Sequence, residues 1–363
     1  ASVVAVASIG LVGLVTVSSV AQAGPSSCAA DDLSDGAGPS SELQDVIDAA
    51  VSGDTIQVSG VCAGSFVISL ELRLVGLPTA GVPEPSLDGN RASTVLRLSG
   101  DETTEVVVSD LTITNGSSQN GGGIRNGVGR LVLRGDASVT GNAAASCGGG
   151  IYNRGTVRLT GSASVSGNSA AYCGGGISND RNGTVALTAA SSVNDNVASE
   201  AGGGIFNRRG TVKLNGSARV ADNAGPFGGG IATRGGNVTL RGQSVVGLNR
   251  AAEQGGGVLL SRGQLRLDDS SVVRGNKAQG RGGGIANGRG VVIMQGKSSV
   301  RGNKAGPGGG VFNDHRAVVM KDSSSVVQNS ARRGGGIFND RGDVTMKDSA
   351  VVRRNDPDNC LRC

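Results

Sequence analysis

The sequence predicts an all-β fold, a right-handed parallel β-helix in which one chain makes three short strands per coil of about 27 residues, preceded by a short capping helix. The first observation is a repeat of nine Gly-Gly-Gly-Ile/Val motifs at spacings of 26–28 residues, beginning at Gly121, Gly148, Gly174, Gly202, Gly228, Gly255, Gly282, Gly308 and Gly334. Such a period is typical of a solenoid with one supersecondary unit per repeat. The second is composition: 64 Gly, no Trp and 37% hydrophobic residues among 363 suit a thin core of stacked aliphatic side chains.

Residues 1–23 have the pattern of a signal peptide. The segment from Val3 to Val20 is uncharged and apolar apart from small residues, and Ala21-Gln22-Ala23 matches a signal-peptidase site. We therefore expect a secreted or cell-surface protein with no membrane span after cleavage. A retained membrane anchor is the alternative, since the apolar run is about as long as a bilayer requires.

Residues 24–53 are predicted to form an N-terminal cap. A helix is expected over residues 41–51, with a capping box formed by Ser41 and Gln44 and a stop at Gly53. Its apolar positions recur at helical spacing: Leu43, Val46, Ile47, Ala50 and Val51. A helix in this place would cover the open sheet edge at the end of the solenoid.

Residues 54–120 are predicted to form irregular first coils, and residues 121–355 the regular repeats. Four- to five-residue apolar or alternating runs mark strands in the first part: residues 55–58, 72–75, 95–98, 106–108 and 111–114. In the repeat that begins at Gly148, Val157 and Leu159 should point inward while Arg158 points outward. The strands must be parallel because each lap runs in the same direction, and such crossovers are nearly always right-handed. Residues 356–363 are expected to form a C-terminal cap.

All three methionines are also expected to point inward. Met294, Met320 and Met346 occupy equivalent positions in consecutive coils. We interpret them as core residues and not as metal or redox ligands, since methionine readily fills irregular gaps.

Each coil ends its last strand in asparagine, and we predict a structural ladder at Asn115, Asn142, Asn168, Asn196, Asn223, Asn249, Asn276, Asn303, Asn329 and Asn355. Asparagine tolerates left-handed backbone at a corner, and its amide can both donate and accept hydrogen bonds between coils. A second asparagine follows the Gly motif in seven of nine copies and is replaced by Thr233 and Leu260 in the others. The triple glycine is expected to provide a tight corner with positive φ.

The paired motifs carry a family resemblance. Val139-x-x-Asn142 precedes Gly148, and the same pairing recurs to Val300-x-x-Asn303 before Gly308. This pattern resembles the pectin-lyase-like superfamily, and more narrowly the repeats of polymorphic outer membrane proteins, which pair F-x-x-N with a G-G-A-I type motif. Valine stands here in place of the phenylalanine. The resemblance covers residues 110–355 by motif and 40–110 by general pattern, and it implies an adhesive or structural role.

The six cysteines are predicted to form structural disulfides. Cys147 and Cys173 each precede a glycine triplet and are 26 residues apart, so their Cα atoms should stack at bonding distance. Cys28 with Cys62 would attach the cap to the first coil, and Cys360 with Cys363 would close the other end. A thioredoxin-like or zinc role for the last pair is the alternative, but no second ligand pair accompanies it. We expect no bound metal or cofactor.

The charge distribution is uneven along the chain. Residues 1–120 carry three basic and fourteen acidic side chains, whereas residues 121–363 carry 31 basic and 15 acidic ones. Arginine recurs three to six residues after the Ile or Val of each Gly motif, and we predict a ladder of Arg130, Arg154, Arg181, Arg208, Arg234, Arg262, Arg289, Arg316 and Arg341. Such a row would attract an anionic glycan, a cell-wall polymer or nucleic acid. The interpretation we favour for these turns is that they carry solubilising charge, part of which Asp180, Asp314 and Asp340 neutralise.

The case for an enzyme is weaker than the case for a binding or structural protein. Relatives with this fold cleave acidic polysaccharides, but the candidate catalytic residues are limited to Asp314, His315 and Arg316 in one turn. Paired carboxylates and aromatic platforms for sugars are scarce. We therefore favour a non-enzymatic scaffold or adhesin. The alternative is a polysaccharide lyase or glycoside hydrolase acting on acidic polysaccharide, and a third interpretation is a spacer without binding activity.

Overall fold

The computed structural model describes residues 28–34, 36 and 38–363 and confirms the predicted parallel β-solenoid. One of its three sheets takes a single strand from each coil and contains 12 strands, so the chain makes about 12 coils. The predicted signal peptide lies outside the described residues. Within those residues, no helix combines the length and hydropathy needed to span a bilayer.

The N-terminal cap consists of one strand and one helix. Strand Ala29–Asp32 runs antiparallel to Thr55–Ser59, and helix Leu43–Ala49 is shorter than the predicted one. The predicted capping box does not form. The helix begins after Glu42 with no side-chain cap, because the Gln44 amide is used elsewhere: it accepts a hydrogen bond from Val67 N–H at 2.8 Å and donates one to Val67 C=O at 3.2 Å. The side chain thus satisfies backbone groups at the edge of the first coil, as a cap must.

The largest sheet, sheet A, contains 23 strands and receives two successive segments from each regular coil. The first segment follows the glycine triplet in the regular repeats and has equivalents in the first and last coils. Its strands are Phe66–Ile68, Leu96–Leu98, Ile124–Asn126, Ile151–Asn153, Ile177–Asn179, Ile205–Arg208, Ile285–Asn287, Val311–Asn313, Ile337–Asn339 and Cys360–Leu361. The second-segment strands are Thr55–Ser59, Leu72–Gly76, Glu105–Ser109, Arg130–Arg134, Thr156–Leu159, Thr184–Leu187, Thr211–Leu214, Val291–Met294, Ala317–Met320 and Asp343–Met346. In two coils both segments join into one strand, Ile231–Leu240 and Val258–Leu267.

The other two sheets complete each lap. Sheet B contains Val61–Ala63, Ser86–Asp88, Thr112–Thr114, Ser138–Thr140, Ser164–Ser166, Ser192–Asn194, Arg219–Ala221, Val245–Gly247, Val272–Arg274, Ser299–Arg301, Ser325–Val327 and Val351–Arg353. Sheet C contains Ser117–Asn120, Ala143–Cys147, Ser169–Ala170, Val197–Ala198, Ala224–Phe227, Arg250–Gln254 and Lys277–Ala278. The sequence did not predict sheet C, because strands of two to five small or polar residues have no clear alternation.

The core is a column of aliphatic side chains inside the coils. Val157 and Leu159 are fully buried and Arg158 is exposed, as their alternation predicts. Met294 and Met320 are also fully buried. Met346 is 50% exposed, because it lies in the last coil, which has no further coil stacked on this segment.

The glycine triplet is required by steric contacts at all three positions. In the copy that begins at Gly148, this first glycine has a φ of +72°, which disfavours any residue with a Cβ. A Cβ on Gly149 would overlap the carbonyl oxygen of Ser169, and one on Gly150 would lie 2.9 Å from Asn168 Nδ2. The corner therefore excludes side chains because the backbone and the asparagine column occupy the space.

The asparagines form a buried column whose role differs from part of the prediction. Asn168 Nδ2 donates to Asn196 Oδ1 at 3.0 Å and to Val139 C=O at 2.9 Å. The left-handed backbone lies one residue earlier, as at Gly167 with a φ of +62° and Asp195 with +56°. The column residues are thus selected for their amides and not for their backbone.

Asn115 is a correction to the predicted column. Thr114 pairs with Thr140, which places Asn115 opposite Gly141 at the left-handed corner and Gly116 opposite Asn142. Asn115 has a φ of +55° and donates to Asp88 Oδ2 at 2.8 Å. The sequence contains this shift: Asn115 is two residues after Ile113, whereas Asn142 is three residues after the equivalent Val139.

Candidate functional site

Two outward-facing columns border a groove along the glycine-triplet corner. The first column is the residue after the Ile or Val of each motif: Arg125, Tyr152, Ser178, Phe206, Ala232, Leu259, Ala286, Phe312 and Phe338. The second column precedes the triplet: Cys147, Cys173, Ala201, Phe227, Gln254, Arg281, Pro307 and Arg333. Ala201 packs with Phe206 and Ala232, so the columns meet across the corner. We call the space between them the corner groove.

Most of the aromatic side chains of the protein border the corner groove. Six of the seven lie there, namely Tyr152, Tyr172, Phe206, Phe227, Phe312 and Phe338. Tyr172 is 54% exposed and Phe227 is 37% exposed. Sequence reasoning treated aromatics as too scarce for a sugar platform and missed this concentration. The available signal was an aromatic residue directly after the Ile or Val in four of the nine motifs.

Two cavities follow one another along the groove. One, of about 360 Å³, lies beside Tyr152, Tyr172 and Asp180. The next, of about 440 Å³, lies beside Phe227 and extends to Arg289 and Asp314. Both are lined by Ala201, Phe206 and Arg234. The two cavities therefore adjoin at these residues, and together they extend over several coils.

Arginines line the same groove on consecutive coils. Arg208 is in register with Arg234, and Arg234 with Arg262. Four guanidinium groups lie over aromatic rings: Arg154 is 5.2 Å from the centre of the Tyr152 ring, Arg234 is 5.7 Å from that of Phe206, Arg281 is 4.9 Å from that of Phe312 and Arg362 is 5.9 Å from that of Phe338. Such stacking holds the guanidinium over the ring face and leaves its outer edge free to donate.

The predicted arginine ladder is not one uniform column. Arg130 begins a second-segment strand in register with Thr156, and its Nε lies 3.2 Å from Glu105 Oε2, so it lies outside the groove. In the coil between those of Arg154 and Arg208, the equivalent position is occupied by Asp180. Its backbone N–H donates to Asn153 C=O of the preceding coil. The remaining members, Arg181, Arg289, Arg316 and Arg341, lie one or two residues further along their turns. The spacing from the motif varies, so equal residue types do not reach equal positions.

Asp180 is the centre of a polar cluster at one end of the groove. Arg208 donates to both carboxylate oxygens, at 2.6 and 2.8 Å, and Tyr152 Oη donates to Oδ2 at 2.9 Å. Burial alone would raise the pKa of Asp180, but the hydrogen bonds from Arg208 and Tyr152 outweigh it and the pKa is lowered. Burial and the bond to Asp180 raise the pKa of Tyr152. The cluster therefore holds an ionised carboxylate next to a neutral phenol.

The candidate catalytic turn lies at the far end of the second cavity. Arg341 Nε donates to Asp314 Oδ1 at 3.1 Å, and His315 Nδ1 lies 3.1 Å from Asp314 Oδ2. Burial would raise the pKa of Asp314, but the hydrogen bond and charge of Arg341, with a smaller effect of His315, lower it. Arg316 has a φ of +70° and lines a neighbouring cavity with Arg262 and His315. Asp314 is thus an ion-pair partner of the next coil.

The predicted disulfides are present. Cys147 and Cys173 are joined with a Cα–Cα distance of 4.6 Å and form part of the groove wall. Cys28 is bonded to Cys62, and Cys360 to Cys363. Across residues 28–34, 36 and 38–363, no group of three or more His, Cys, Asp or Glu side chains is placed to hold a metal ion.

Comparison of the chain with protein-family models, with curated proteins and with solved structures found no match in any of the three.

Proposed function

We propose that the protein is a secreted or cell-surface scaffold or adhesin that binds a linear anionic glycan along the corner groove. The observation that carries this proposal is the register of Arg208, Arg234 and Arg262 on three successive coils. Parallel strands lie about 4.8 Å apart, so these guanidinium groups can meet successive acidic groups of an extended polymer. The motif resemblance to pectin-lyase-like β-helices and polymorphic outer membrane protein repeats supports the same kind of role.

The lining of the groove favours a sugar polymer. The side chains of Tyr172 and Phe227 are exposed, and aromatic rings can pack against the apolar faces of sugar rings. Arg234 and Arg262 have no carboxylate partner among the residues the structure describes, whereas Arg208 is bonded to Asp180. The free cations beside exposed rings are therefore the groups that we assign to carboxylate or sulfate groups of the ligand.

The experiment compares two double variants with equal net charge. Arg234→Gln with Arg262→Gln removes the two free groove cations, and Arg130→Gln with Arg158→Gln removes two cations of the outward face of sheet A. Retention is measured on a heparin resin and on a polygalacturonate resin over a range of salt concentrations. We expect weaker retention and a shallower salt dependence for the groove variant only, since each lost ionic contact lowers the slope by about one.

The possible results separate the candidate functions. Equal loss in both double variants would show unspecific charge attraction and would contradict the proposed groove. Preferential retention on single-stranded nucleic acid would assign the groove to that polymer instead. The enzymatic alternative is tested in the same samples by release of reducing or unsaturated sugar ends, which Asp314→Asn or Arg316→Gln should then abolish.

A further inference from the structure

A second basic surface lies on sheet C and adjoins the corner groove, since Gln279, Gly306 and Arg332 also line the cavity beside Phe338. A trough of about 870 Å³ has a floor of small residues, with cationic and polar side chains beside it, and is lined by Arg250, Ala251, Lys277, Ala278, Gln279, Lys304, Ala305, Gly306, Ser330, Ala331, Arg332 and Asp356. Ala251, Ala278 and Ala305 are almost fully buried, whereas the cations Arg250, Lys277 and Lys304 are exposed. We call this surface the sheet C trough.

The cations of the trough are stacked directly on one another. Arg250 is in register with Lys277, and Lys277 with Lys304. Like charges opposite each other in a sheet repel, so this arrangement destabilises the free protein. None of the three has a carboxylate partner in the described part of the chain, and Asp356 is the one acidic residue that lines the trough.

The fold itself does not require cations at these positions. The same column in earlier coils contains the uncharged residues Ala143, Ser169, Val197 and Ala224. Ser330 follows Lys304 in the next coil. The three cations therefore occupy a position where small neutral residues are compatible with the same backbone, and a bound anion would relieve their mutual repulsion.

The trough differs from the corner groove in having no aromatic lining residue. Bases and sugar rings gain much of their binding energy from stacking on aromatic side chains, and an alanine floor cannot supply it. A phosphate chain needs only charge and hydrogen-bond donors, which lysine and arginine provide. A thin polymer can also lie close to the floor, because alanine side chains are short.

We propose that the sheet C trough binds a linear phosphate polymer without ring stacking, of the polyphosphate type, along the axis of the solenoid. Adjacent coils are about 4.8 Å apart, so the cations of Arg250, Lys277, Lys304 and Arg332 extend over roughly 15 Å. One polymer chain can contact all of them at once, whereas orthophosphate can contact only one or two. Binding should therefore depend steeply on the chain length of the polymer.

The test is a titration of the whole protein with long-chain inorganic polyphosphate, tripolyphosphate and orthophosphate, followed by calorimetry. The trough variant is Lys277→Gln with Lys304→Gln, and the matched control is Lys213→Gln with Lys297→Gln, which removes two exposed lysines elsewhere. We expect at least a tenfold loss of polyphosphate affinity in the trough variant and less than a twofold loss in the control. The slope of affinity against salt should fall by about two in the trough variant.

Further variants and ligands test whether the trough is the binding site and polyphosphate its ligand. Arg234→Gln with Arg262→Gln should lower the affinity for polyphosphate less than the trough variant does and the retention on polygalacturonate more, so failure of the glycan proposal and failure of this one are distinguishable. Equal losses in the trough and control variants would overturn the site, as would equal affinity for orthophosphate and the polymer. Binding to vesicles with anionic lipid that needs Lys277 and Lys304, without polyphosphate binding, would assign the surface to a membrane instead. Circular dichroism of both variants tests that the fold is retained.

Discussion

Replacing Asn196 by alanine tests whether the asparagine column holds the coils together. This side chain is fully buried in the middle of the column. Its Nδ2 donates to Asn223 Oδ1 and Val165 C=O, both at 3.0 Å, and its Oδ1 accepts from the backbone N–H and the Nδ2 of Asn168, also at 3.0 Å. A third acceptor of Nδ2 is Asn194 C=O at 2.8 Å.

The expected loss in the free energy of unfolding follows from the number of hydrogen-bonding groups that lose a partner. The amide has two N–H donors and two acceptor lone pairs, so alanine removes about four hydrogen bonds in a site that water cannot enter. A buried hydrogen bond contributes about 1 kcal/mol net, which gives a loss of about 4 kcal/mol in the free energy of unfolding. The Asn168 N–H also becomes a buried donor without an acceptor, so this loss should be largest at the two adjacent coils.

Urea unfolding and amide hydrogen exchange measure the global and local effects. We expect the exchange of the Asn168 N–H to accelerate strongly in the alanine variant. The control is Asn115→Gly, since Asn115 lies outside the column at a left-handed corner that glycine occupies in later coils. That change should alter the free energy of unfolding by less than about 1 kcal/mol, because one partly exposed hydrogen bond is lost. Equal effects of the two substitutions would refute the assignment of the column.

Three further changes test other contacts. Ser271→Ala should leave the free energy of unfolding unchanged or raise it by up to about 1 kcal/mol in urea unfolding, because the buried hydroxyl has no hydrogen-bond partner in the described structure; a clear loss would contradict this. Replacing Cys147 and Cys173 together by alanine should lower the free energy of unfolding by about 3.5 kcal/mol, which is the loop-closure value for their 26-residue separation. Asp180→Asn should cost about 1–2 kcal/mol at neutral pH, since it weakens the bond to Arg208. Because the pKa of Asp180 is lowered on folding, its ionic stabilisation is present above the ordinary carboxyl pKa and is lost as the pH falls through the folded value. The free energies of unfolding of the Asp180→Asn variant and the unchanged protein should therefore differ less in acid than at neutral pH. An equally large difference in acid would argue against the ion pair.

The sequence predicted the parts of the fold that repeat with a clear period. The alternation at Val157 and Leu159 gave the inward face, and the spacing of Cys147 and Cys173 gave their stacking one coil apart. These predictions succeeded because one lap of chain fixes the position of the next. Sheet C was missed because a strand as short as Ser169–Ala170 is stabilised by the neighbouring coils and has no pattern of its own.

The corner geometry could not be derived from residue preference alone. Asparagine favours the left-handed region, which suggested that it supplied the turn. The structure places that backbone at the preceding residue, even where this is Leu248, with a φ of +58°. A leucine there has no local signal that predicts the conformation, and it follows from the stacking of coils that have Gly167 or Asp195 at the same corner.

The sequence predicted which residue type lies at the candidate site, but not which of these residues lie next to one another. Arginine was expected near this corner, and Arg208, Arg234 and Arg262 do lie in register. Arg130 does not, since the distance from the motif is longer in that coil and it reaches the next strand. A difference of one to three residues in a turn is small in the sequence, but it changes the face on which the side chain lies.

Differences between the coils indicate where specificity can reside. The glycine triplet and the buried asparagine hardly vary from coil to coil, because their backbone contacts recur in each lap. The outward columns vary most: Ser178, Phe206 and Ala232 occupy one equivalent position, and Val197, Ala224 and Arg250 another. The fold accepts any of these residues, so their identities are free to follow a ligand. A rod of nearly identical coils can thus present surfaces of distinct chemistry, and the register of neighbouring coils determines which side chains act together.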